Sequence, residues 1–242
     1  RLPAGDDAAG TAMVQAIEAA VRDRGSCSLA LSGGATPRGV YRLLSSRFRD
    51  QVPWPQVHVF WGDERYVPHD HPDSNYRMAR ETLLDHVPCP TANVHPMPTH
   101  LRSPEVAAQE YERTLREYFD GSGPRFDLNL LGIGADGHTA SIFPGSPALD
   151  EGAPWVMSVE ANAAPPSRLT MTMPALTQSA CIYVLVSGSN KANALRRVLS
   201  EAPDPDSYPA AGLRQSRAQV IWWADRDAAA LMPPGGVEGE GA

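Results

Sequence analysis

The sequence predicts an α/β protein with a mostly parallel sheet and helices on both faces. Three observations carry that expectation. Residues 28–31, 57–61 and 181–186 are short, almost continuous apolar runs, as strands buried on both faces read. Segments with apolar residues at helical spacing alternate with them. Each run also ends at once in a glycine-rich or charged turn. With 242 residues, 42% of them hydrophobic and 20% charged, the chain has material for one large core. We expect a single domain over residues 1–234 and a loose tail over 235–242.

Residues 7–24 read as a helix, with Ala12, Ala16, Ala19 and Ala20 spaced around Val14, Ile17 and Val21, and Gly25 stopping it. The strand at 28–31 runs into Ser32-Gly33-Gly34-Ala35-Thr36-Pro37. Thr36 suits an N-cap and Pro37 the first helical position, where a missing N–H costs nothing. Val40, Leu43, Leu44 and Phe48 then share a helical face. The strand at 57–61 delivers Asp63-Glu64-Arg65 to its end, and a helix is expected over 75–86. A short strand over 93–97 precedes a helix capped by Ser103, started by Pro104 and ended by Gly121. Further strands are expected at 155–159, 169–173, 181–186 and 218–224, with a short helical turn at Pro174 and a helix from Lys191 to about 199.

In this architecture ligands sit outside the carboxyl ends of the strands. The loop after Leu31, the Asp63–Arg65 segment, the Asp136/His138 turn and Lys191 all follow strands, so they share one rim. Ser32, Gly33, Gly34 and Thr36 make a turn whose backbone N–H groups can approach an anion at a helix start; a tight turn without a ligand is the plainer alternative. No GK[ST] ending makes it a nucleotide loop. Gly132, Gly134 and Gly137 spell a dinucleotide fingerprint, but Pro144 follows too closely for a long helix, and Asp136 and His138 fill the space a pyrophosphate needs. His138 is instead the candidate general base, with Asp136 either orienting it or merely capping the turn. Arg65, Arg168 and Lys191 are cations at or near strand ends, suited to a phosphate. No cofactor is expected. No metal is expected either: His69-Asp70-His71 lies in a proline loop whose neighbours seldom converge on one ion.

The net charge of −7 gives no nucleic-acid or anionic-membrane footprint. No apolar run approaches the roughly 20 residues of a membrane span, and no signal peptide is read. Cys27, Cys89 and Cys181 are scattered, which suits a reducing cytoplasm. The first residue is Arg1 rather than methionine, so a preceding strand is a candidate missing piece. The expected partner is a small molecule, with the chain a monomer or small homo-oligomer.

Taken together, LALSGGATPRGVYRLL (29–44), VFWGDERYVP (59–68), DSNYRMARETLL (73–84), LLGIGADGHTASIFPGSPAL (130–149), RLTMTMPAL (168–176) and VLVSGSNKANAL (184–195) resemble the 6-phosphogluconolactonase family, in its order. That family is grouped with the glucosamine-6-phosphate isomerases on a Rossmann-like three-layer α/β fold. The resemblance implies hydrolysis of 6-phospho-D-glucono-1,5-lactone, the second step of the oxidative pentose phosphate pathway. It implies that Ser32, Gly33 and Gly34 hold the phosphate with Arg168 and Lys191, that Arg65 lies near the reacting end, and that His138 is the base. The role of Asp63 stays open, because the matching acid in the isomerases takes a proton from the sugar. An isomerase would need a further acid just beyond Gly137-His138, and none occurs before Asp150. A sugar-phosphate sensor of this fold would carry a basic helix-turn-helix, which is not readable here.

Overall fold

A computed structural model of the protein describes residues 4–200, 202 and 204–233. Five parallel strands form the main sheet in the order β2-β1-β4-β7-β8, from β1 (Cys27–Leu31), β2 (Val57–Trp61), β4 (Leu128–Gly132), β7 (Cys181–Val186) and β8 (Gln219–Ala224). Every residue of β1 is buried, so both faces of the sheet centre are covered. Helix α1 (Ala4–Arg24) packs on β1 and on α2 (Ala35–Ser45). The chain steps outward from β1 to β2 and then returns to β4 on the other side. That reversal makes β1/β4 the switch point, where a crevice opens beyond the strand ends.

A second, three-stranded antiparallel sheet has the order β3-β6-β5, from β3 (Asp63–Arg65), β5 (Val156–Glu160) and β6 (Ser167–Met171). The link is Gly62, whose N–H donates to Leu31 O at 3.0 Å in the main sheet while its carbonyl accepts from Met171 N at 2.8 Å. Helix α4 (Pro104–Tyr118) covers β5 and β6. The strands expected at 155–159 and 169–173 exist, shifted by one or two residues, but they belong to this sheet. Alternating apolar residues predict a half-buried strand without specifying its partner.

Other expectations change in detail. Helix α2 begins at Ala35 with Gly34 as its cap at φ 101°, so Thr36 lies inside the first turn rather than capping it. Glycine takes that conformation without a Cβ penalty, and no side chain caps this helix. The expected helix 75–86 is α3 (Asn75–Thr82), then a separate 3-10 turn, Leu84–His86. Residues 93–97 do not form a strand: a 3-10 turn covers Thr91–Asn93 and a single bridge joins Val94 to Val59. Pro96 and Pro98 deprive this stretch of ladder donors. Pro174 lies in α5 (Met173–Leu176), and Lys191 closes a 3-10 turn, Ser189–Lys191, before α6 (Ala192–Val198). The tail expected over 235–242 lies outside the described residues.

Candidate active site

The strand-end loops enclose a cleft of about 480 Å3. Its floor begins with Ser32, at the end of β1. Tyr41 of α2, fully buried, accepts from Ser32 N at 3.0 Å and donates to Ser32 O at 2.8 Å. A helix residue thus fixes the exit of the strand, and burial drives its phenol upward. Ser32 Oγ is buried and has no hydrogen-bond partner among the described residues. Next to it, Gly33 has no room for a side chain: a Cβ would lie 1.8 Å from Asn75 Oδ1. Asn75 is itself buried, donates from Nδ2 to Asp63 O at 3.0 Å, and leaves Oδ1 unpartnered.

Asp63, Glu64 and Arg65 form β3, a strand of three charged residues. Asp63 is buried and accepts from Ser141 Oγ at 2.7 Å. Glu64, also buried, accepts from Arg65 N, Asn75 N and Tyr76 N at 2.7 Å each and from Ser74 Oγ at 3.1 Å. It thereby satisfies orphan donors at the start of α3. Burial pushes its carboxyl up to about 7 against the pull of those N–H donors. Arg65 and Arg168 are paired residues across β3 and β6. Arg168 is buried, donates from Nε to Pro165 O at 2.8 Å, and has its guanidinium pKa lowered by burial and by Arg65.

The turn after β4 brings His138 to the same cleft. Its Nδ1 lies 2.6 Å from Asp136 Oδ1, and its backbone N–H donates to the same oxygen at 3.2 Å. An ionised carboxylate only accepts, so Nδ1 carries the proton, and a ring that has lost its second proton has its lone pair on Nε2. Partial burial raises the Asp136 carboxyl, but the charge and N–H donors of His138 outweigh it and hold it below its ordinary value. Gly134 makes the pair possible: a Cβ there would sit 2.1 Å from His138 Nδ1 and 2.3 Å from Asp136 Oδ1. Ala140 holds φ 48°, a left-handed conformation costing about 1–2 kcal/mol for a residue with a Cβ. Thr139 Oγ1 to Gly132 O at 2.9 Å and Ser141 N to Thr170 Oγ1 at 3.2 Å hold it there.

Ser32, Gly33, Gly34, Thr36, Asp63, Arg65, His138, Arg168 and Lys191 therefore all line one cleft. Asp136 stands behind His138 rather than in the wall. Sequence reasoning missed Asn75, Ser141, Ser187 and Asn190, which also line it. Ser187 and Asn190 lie in the same short run as Lys191, and Ser141 lies three residues past His138. Nothing local pointed to Asn75, because its contact with Gly33 spans the fold. Among the other histidines, His69 bonds Met97 O at 2.8 Å, and His58 and His95 pair at 3.3 Å. Among the described residues no three His, Cys, Asp or Glu side chains are grouped to hold a metal ion.

The family model described as glucosamine-6-phosphate isomerases/6-phosphogluconolactonase matches residues 5–222. The chain belongs to this family. It is 45% identical over 221 residues to the 6-phosphogluconolactonase of Synechocystis sp., covering 90% of each chain. It is 42% identical over 233 residues to the 6-phosphogluconolactonase of Mycobacterium tuberculosis, covering 93% of each. Among solved structures, the 6-phosphogluconolactonase of Leishmania guyanensis superposes with a TM-score of 0.84 at 29% identity, with 95% of each chain covered. The mostly parallel sheet flanked by helices is the architecture of these relatives. No helix among the described residues is long and apolar enough to cross a membrane.

Proposed function

We propose that the protein hydrolyses 6-phospho-D-glucono-1,5-lactone to 6-phospho-D-gluconate, without a metal ion, as one catalytic domain. The observation that carries this reading is the oriented His138–Asp136 pair in a cleft that also gathers Arg65, Arg168 and Lys191. A lactone is an activated ester, so it needs a base for water and a donor for the oxyanion, not a covalent nucleophile. His138 Nε2 removes a proton from water as its oxygen bonds to C1. A cation or backbone N–H of the cleft stabilises the oxyanion. The C1–ring oxygen bond then breaks, and the imidazolium returns its proton to the leaving oxygen. Ser32, Gly33, Gly34 and Thr36, with Arg168 and Lys191, hold the phosphate, and Arg65 meets the substrate near the reacting end.

Asp63 favours this reading over an aldose–ketose isomerase. Its carboxylate is buried and engaged by Ser141 Oγ and, at 3.4 Å, by Asn75 Nδ2. It is a framework acceptor that braces the second sheet against the His138 turn, not an open base for a sugar proton. A cytoplasmic setting suits the three free cysteines.

The deciding experiment generates the lactone in situ from glucose 6-phosphate and follows its disappearance with and without protein, with glucosamine 6-phosphate assayed in parallel. Acceleration of lactone loss alone supports the proposal. Turnover of the amino sugar alone overturns it.

A further inference from the structure

Asp225 stands just past the end of β8, three residues beyond the segment matched to the family. Its backbone N–H donates to Val186 O at 3.1 Å, extending the β7–β8 ladder by one rung. One carboxylate oxygen accepts from Ala228 N at 2.7 Å, an ordinary cap for the turn that follows. The same oxygen also accepts from Gly188 N at 3.2 Å. Oδ2 accepts from Ser187 Oγ at 2.6 Å and from Gly188 N at 3.0 Å, gripping the loop that leaves β7. Gly188 sits at φ 94°, with its N–H turned to the carboxylate, and its carbonyl accepts from Lys191 N at 3.0 Å. Ser187 and Lys191 both line the cleft, whereas Asp225 does not.

We infer that Asp225 is a positioning residue for the phosphate end of the cleft, fixing the Ser187–Lys191 loop so that the Lys191 ammonium is presented to the ligand. This rests on the proposed sugar-phosphate reading and adds a residue to it. Capping the turn after β8 requires only the contact with Ala228. The charge-assisted bonds to Ser187 and Gly188 join the loop after β7 to the turn after β8, and such bonds to an ionised acceptor are the stronger kind. Partial burial raises the Asp225 carboxyl, but the donors from Ser187, Ala228 and Gly188 overcome this and keep it below its ordinary value.

The test is a double-mutant cycle between Asp225→Ala and Lys191→Ala, with Asp225→Asn as a variant that keeps an acceptor for Gly188 N. Two readouts are taken: KM and kcat for the lactone, and affinity for inorganic phosphate by calorimetry. Removing the grip should raise KM and weaken phosphate binding by about tenfold, the scale of one charge-assisted bond, with kcat changed less than threefold and Asp225→Asn intermediate. In the Lys191→Ala background the same change should be nearly silent, because contacts in one chain of interactions are not additive. An equal loss in both backgrounds, or a lower Tm with unchanged KM and phosphate affinity, would overturn the inference. The phosphate readout separates the two ideas. Protein that leaves the lactone untouched but binds phosphate with an affinity that falls on removing Lys191 or Asp225 refutes the lactonase reading and keeps this one; protein that binds no phosphate refutes this one.

Discussion

Arg65 and Arg168 face each other directly across the antiparallel β3–β6 pair. Like charges opposite one another in a ladder cost about 0.2–1 kcal/mol, and neither side chain is in an ion pair among the described residues. Arg65 uses Nη1 on the carbonyl of Asp73 at 2.5 Å but leaves a buried Nε without a partner. An anion held between the two guanidiniums would offset this repulsion. Arg168→Gln should therefore raise KM for a phosphorylated lactone by about 10- to 100-fold, the worth of charge-assisted bonds, with kcat changed only a few-fold. Inorganic phosphate should raise the Tm of the wild type more than that of the variant. Equal phosphate shifts in the two proteins would remove Arg168 from the anion site.

The glycines of the His138 turn can be told apart by what surrounds them. A Cβ at Gly134 would collide with both His138 Nδ1 and Asp136 Oδ1, whereas a Cβ at Gly132 would meet only Leu185 O, at an ordinary 3.6 Å. Gly134→Ala should displace the imidazole and cost at least about 100-fold in kcat, within the range of lost general-base help. Gly132→Ala should stay within about threefold, since no clash drives a shift. Comparable losses in both variants, measured as kcat with the fold checked by circular dichroism, would mean that the turn rather than the His138–Asp136 pair is the sensitive element.

Direct removal of the base should cost more than disturbing its orientation. His138→Ala is expected to lower kcat by about 10²–10⁴-fold with KM little changed. An activity loss below tenfold would refute the assignment. Asp136→Asn can donate to Nδ1 and so favour the tautomer with its proton on Nε2, which removes the lone pair that water needs. A loss of about tenfold or more is expected, with phosphate affinity intact. Full activity in this variant would reduce Asp136 to the turn cap that the sequence also allowed.

Much of this site is legible in the sequence because each strand end is marked by a change from apolar to glycine-rich or charged residues. Leu31 to Ser32, Leu131 to Gly132 and Val186 to Ser187 are such changes, and all three open on the cleft. What stays hidden depends on long-range pairing. Asp63–Arg65 does not read as a strand, because three charged residues carry no β propensity, and only the donors converging on Glu64 make its burial tolerable. Tyr41 falls on the apolar face of α2, yet its hydroxyl sets the exit of β1, a role no local pattern reveals. Tyr111 does the same from α4, accepting from Trp61 N at 2.9 Å and donating to Trp61 O at 3.2 Å.

The acid limit of stability should come first from a pair far from the chemistry. His58 Nδ1 lies 3.3 Å from His95 Nε2, and His95 stacks on Phe60 with centroids 4.4 Å apart. Burial lowers the pKa of His58; burial and then the charge of His58 lower that of His95. Both are therefore neutral in the fold at a pH where the unfolded chain, with imidazoles near about 6.5, takes up protons. At these two sites the unfolded state binds more protons in that window, so the pair's contribution to stability is full above about pH 6.5 and falls as the pH drops through it, while the raised Glu64 carboxyl acts in the opposite sense. Asp136, with its lowered carboxyl, loses its contribution only below about pH 4, so the two effects separate. His95→Phe keeps the stacking and removes the titration of His95 and the repulsion, leaving only His58. Between pH 7 and pH 5 the wild-type Tm should fall further than that of the variant. Parallel curves from scanning calorimetry would show that this pair does not set the acid limit.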